Sequence, residues 1–137
     1  MDPALLLGGV IGVALTAYAL MGGADYGGGV WDLAASGPTA ADQRLAIARA
    51  IGPIWEANHV WLILVVTVLF SAFAPAFARI TTYLHIPLML ALAGIILRGS
   101  AFMFRAYGPE DALFRRRWGL VFAVASAATP VLLGVVG

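Results

Sequence analysis

Glu56, Asn58 and His59 stand between Trp55 and Trp61 at the head of the stretch Ile54–Phe70, which then turns apolar. A carboxylate and an imidazole at the head of a hydrophobic helix are costly in lipid, and such groups mark sites. Glu56 has two readings. It is a first-turn acid favoured by the helix dipole, or a protonatable group at a membrane boundary that relays protons. His59 follows three positions on, so it shares a helix face with Glu56 and is within reach of a shared hydrogen bond. Asn58, offset by about 100° per residue, is placed to cap a neighbouring backbone group.

Other chemistries find less support. A Glu-x-x-His pair serves di-iron bundles only when matching acids come from other helices. Here Asp25 and Asp32 are the nearby candidates, so no metal is expected. His59 and His85 fall on different helices, towards opposite sides of the membrane, which argues against a haem held between them. No cofactor-binding residue is therefore assigned to this chain. Arg98 lies well inside an apolar segment. Either it snorkels to the nearer interface, or it pairs with Asp25 or Glu56. His85 reads as an interface residue. The GGADYGGG run lacks the pattern of a phosphate-binding loop, and no Ser–His–Asp or Cys–His pair is present.

The elements that position these groups follow from composition. The chain has 137 residues, 62% hydrophobic and 11% charged, with mean hydropathy +0.94. A soluble domain carries about 25% charged residues, so too few charges exist here to coat a water-facing surface. A net charge of +1 and the lack of a basic stripe argue against nucleic acid as a partner. With no cysteine, disulfides and thiolate metal sites are excluded within this sequence. Met1-Asp2-Pro3 lacks the positive segment of a cleaved signal, so the first apolar run reads as a true span.

Four spans are predicted, at about residues 4–23, 54–73, 82–104 and 118–137, each near the length that crosses a ~30 Å hydrocarbon layer. The glycines after Asp25 and Tyr26 either end the first span or bring its backbone against a neighbour. Thr39 reads as the N-cap of a short amphipathic helix, which Gly52-Pro53 interrupts. Residues 74–83 read as a short turn with Pro75 as breaker. Arg44, Arg49, Arg105, Arg115, Arg116 and Arg117 occupy the first and third connections, against Arg79 alone in the second. By the positive-inside rule those two connections are cytoplasmic and both termini face outside. Asp25, Asp32 and Glu56 then lie near the cytoplasmic end. The fold class is an all-α membrane bundle of four helices in a lipid bilayer.

Three segments in order, GGADYGGGVWDL, IGPIWEANHVWLI and LRGSAFMFR, resemble subunit II of the cytochrome bd-type quinol oxidases. The motif residues are Pro53, Trp55, Glu56, Asn58, Val60, Trp61 and Leu62, and the resemblance covers essentially the whole sequence. It implies a respiratory terminal oxidase of a bacterial or archaeal plasma membrane, which oxidises quinol and reduces dioxygen. It implies haem b and haem d in a partner subunit I. It also implies that Glu56 and Asp25 contribute to a proton path from the cytoplasm, with Asp25 near its start and Arg98, His59, Asn58, Trp55 and Trp61 in support. Gly22 stands where the family often has another Asp, Glu56 where Asp is common, and His59 where Gln is common. The family's chain is longer, so a second four-helix half or a second copy is expected as partner. The alternative from another class is half of a small dimeric transporter or channel, suggested by the four-helix unit and the intramembrane charges.

Overall fold

The computed structural model describes residues 2–137. Helix α1 spans Pro3–Ala34, α2 Ala40–Ala72, α3 Ala74–Tyr83, α4 His85–Tyr107 and α5 Ala112–Val136. Two of the helix starts are capped by an aspartate. Asp2 caps α1 by accepting the Ala4 N–H at 2.9 Å, with Pro3 in the first turn. Asp111 does the same for α5 through Phe114 N–H at 2.8 Å. Gly108 ends α4, where a Cβ would overlap the Phe104 carbonyl.

α1, α2, α4 and α5 are each long and apolar enough to cross a membrane, as the hydropathy pattern predicts. Three boundaries differ from expectation. Helix α1 does not end at residue 23 but continues to Ala34. The glycine run stays helical because its small residues face neighbours: a Cβ at Gly28 would meet the Ile51 side chain, and one at Gly29 would overlap Ser126. Gly52-Pro53 does not split the next element either. The amphipathic segment forms the first part of α2, and Pro53 sits inside a continuous 33-residue helix. Packing holds both sides of the lost backbone bond, Ile51 against α1 and Trp55 against Phe102 of α4. Residues 74–83 are a helix rather than a turn, since Pro75 occupies its first turn, where proline is pre-organised.

α1 packs along α2 and α5, and α5 packs along α4. An apolar cluster of Ile51, Ala101 and Phe122 closes the bundle, flanked by Trp55, Phe102 and Trp118. The short α3 lies outside it and buries none of its residues. Beside the apolar cluster runs a polar interior of Asp25, Asn58, Arg98, Ser126 and Thr129, all fully or almost fully buried.

Candidate functional site

Arg98 organises the interior. A guanidinium buried among apolar helices must satisfy its donors inside the protein. Its Nη2 lies 2.6 Å from Asp25 Oδ1 and donates to the Asp25 backbone carbonyl at 2.7 Å. Its Nε donates to Ser126 Oγ at 2.9 Å. The guanidinium carbon also sits 5.1 Å from the Tyr26 ring centre and 4.9 Å from that of Phe122, within cation–π range. Three helices thus meet on one side chain. The close Gly29–Ser126 approach brings α5 near enough for Ser126 to accept.

Asp25 is therefore the partner of Arg98. Of the two acids weighed for that role Glu56 is not used, and Arg98 does not snorkel, because its side chain is only 2% exposed. Asp25 has no exposed surface. Asn58 Nδ2 donates to its Oδ2 at 3.3 Å, so Asn58 serves a carboxylate rather than a backbone group. Asn58 Oδ1 and Thr129 Oγ1 are buried without a protein partner among the described residues. Tyr18 and Tyr26 join through their hydroxyls at 3.3 Å.

Glu56 is not part of this buried network. It is exposed on α2. Among the described residues it has no cation within 4.0 Å. It lines a cavity of about 1360 Å³ between α2, the end of α4 and the start of α5. His59 does not share a hydrogen bond with it. Instead His59 Nδ1 lies 2.8 Å from the Trp55 carbonyl, and its ring meets Trp55 edge-on at 4.9 Å. Trp55 in turn stacks on Phe102 with centres 6.0 Å apart. Trp61, half-buried further along α2, makes no aromatic pair among the described residues. His85 is exposed, with Nδ1 2.9 Å from the Thr82 carbonyl. Among the described residues no three metal-ligating side chains converge. Both histidines hold Nδ1 against a local backbone carbonyl.

One pair escaped the sequence reading. Arg105 forks onto Asp32, with bonds of 2.8 and 3.0 Å to its two carboxylate oxygens, and its guanidinium lies 5.3 Å from the Phe122 ring. Phe122 is thus flanked by two arginines. The signal was present, because both acids on α1 and both arginines on α4 are spaced by seven residues, about two helical turns.

A family model described as cytochrome bd terminal oxidase subunit II matches residues 3–137. Among curated proteins, cytochrome bd ubiquinol oxidase subunit 2 of Bacillus subtilis is 35% identical over 94 residues, covering 68% of this chain and 27% of that protein. Cytochrome bd-I ubiquinol oxidase subunit 2 of Escherichia coli K12 is 29% identical over 126 residues, covering 92% and 32%. The chain thus spans between about a quarter and a third of the length of these relatives.

Proposed function

The chain belongs to the cytochrome bd terminal oxidase subunit II family, and from that premise we propose that it acts as a membrane subunit of a quinol-oxidising, dioxygen-reducing terminal oxidase. In this reading it braces a haem-bearing subunit I, which carries haem b and haem d, in a bacterial plasma membrane. The matching relatives are named as ubiquinol oxidase subunits, which supports that assignment. A second four-helix half or a second copy completes the subunit, in keeping with the share of the relatives that this chain spans.

Within the chain we assign proton delivery to Glu56. The observation that carries this is its position: it is exposed on a cavity wall with no cation beside it, whereas Asp25 and Asp32 are each held by an arginine. An unpaired carboxylate at a water-reachable wall can bind and release protons. Asp25 is instead engaged with Arg98 in a buried pair at 2.6 Å, so it fits a positioning role better than a relay. Asn58 lies two residues from Glu56 on α2 and contacts Asp25, so it ties the two acids to one frame. Glu56→Gln in the assembled oxidase should lower oxygen consumption on the order of 100-fold, the scale of losing a proton-transfer group, with haem content unchanged. Unchanged turnover would sink the assignment.

A structural role alone is the second reading, favoured by the Arg98–Asp25 pair, which bolts α1 to α4. It predicts that Asp25→Asn alters the yield of complex and leaves turnover per haem as it was.

A further inference from the structure

The cavity that Glu56 lines carries more charge than its own chain uses. Six arginines border it, Arg44, Arg49, Arg105, Arg115, Arg116 and Arg117, against two acids, Asp32 and Glu56. Arg105 is committed to Asp32, and Arg44 donates to the backbone carbonyls of Asp32 and Ala35. The other four have no protein acceptor among the described residues and are exposed. The rest of the wall is apolar and aromatic, including Leu45, Trp55, Phe102, Met103 and Leu120. The cavity is about 1360 Å³ in volume and opens between helices long enough to cross a membrane.

Unpaired guanidiniums and an apolar, aromatic wall in one cavity match one kind of molecule. It carries an anionic phosphodiester on hydrocarbon chains. We propose that this cavity seats an anionic phospholipid, its phosphate held by Arg49 and the Arg115–Arg117 cluster and its acyl chains laid along the Trp55–Phe102 wall. Arg suits the role because its planar fork meets two phosphate oxygens at once. Basic recesses between membrane helices hold such headgroups. A free phosphate would use the arginines and leave the apolar wall uncovered. An acidic protein segment would satisfy the charge without needing acyl-sized space. The proposal does not depend on Glu56 carrying protons.

The test uses the whole complex, purified in mild detergent and stripped of loosely bound lipid. Native mass spectrometry should show phosphatidylglycerol or cardiolipin retained on the wild type. Arg116→Gln with Arg117→Gln should weaken retention on the order of twentyfold, from about fivefold per arginine near a headgroup. Arg116→Lys with Arg117→Lys keeps the charge and should retain most of the lipid. If the Gln variant fails to assemble, the wild type decides. Mixed micelles containing phosphatidylglycerol should raise its unfolding temperature, and phosphatidylcholine micelles or inorganic phosphate alone should not. The proposal falls if no anionic lipid is retained, or if retention survives the Gln variant. It also falls if inorganic phosphate stabilises as well as the lipid, or if cross-linking finds an acidic protein segment in the cavity.

Discussion

Arg98 shows how one residue sets the character of an interior. It has no water to turn to, so the protein supplies a carboxylate, a carbonyl, a hydroxyl and two aromatic faces. Removing one partner of such a pair strands the other charge, which costs about 3–5 kcal/mol, while removing both is far milder. Arg98→Gln should therefore destabilise the bundle more than Arg98→Gln combined with Asp25→Asn. Thermal unfolding in detergent measures this, and an additive double variant would count against the pair. At this scale the sequence was half legible. Glu56, Asn58 and His59 stood out because polar groups interrupt an apolar helix. The Arg98–Asp25 pair was one of two open choices, since spacing along one helix does not say which neighbour faces it. The Asp32–Arg105 pair is not legible from any single charge and shows only in the matched seven-residue intervals on two helices.

Among elements, glycine placement governs approach. A Cβ at Gly94 of α4 would overlap Thr129 Oγ1 of α5, and that hydroxyl has no hydrogen-bond partner among the described residues. Overpacking a close contact costs about 1–3 kcal/mol. Gly94→Ala should thus lower the unfolding temperature. Thr129→Ala should cost little alone, because it deletes an unsatisfied hydroxyl, and should rescue Gly94→Ala. Failure of that rescue would show that the helices are held apart by something else. Hydropathy located the four long helices because their apolar runs match a bilayer's depth. The helices themselves run past the glycine run and Pro53, because neither acts as a breaker here. Contacts made elsewhere, Gly28 on Ile51 and Gly29 on Ser126, keep the glycine run helical. Pro53 likewise stays inside α2.

For the whole molecule, we propose that the distribution of arginine sets a direction across the membrane, with both termini outside. On that proposal a cysteine introduced at Ser36 or Glu110 should react with an impermeant maleimide only from the cytoplasmic side, and one at Ala76 only from the opposite side. The reverse pattern would overturn the orientation. Large apolar side chains such as Leu5, Val13, Ile63 and Val131 lie open on the outer faces. In a bilayer such surfaces can meet acyl chains.

The two ion pairs that join α1 to α4 each close a gap of 73 residues. During synthesis at 5–20 residues per second, Asp25 and Asp32 wait roughly 4–15 s for their arginines to emerge. For that interval the nascent chain carries two uncompensated carboxylates at the membrane. A protease that recognises intramembrane charge would find them before the pairs close. A chain stopped after Leu97 should therefore be degraded much faster than one extended through Tyr107. Pulse-chase labelling of the two lengths would show whether the waiting acids act as a timer for quality control.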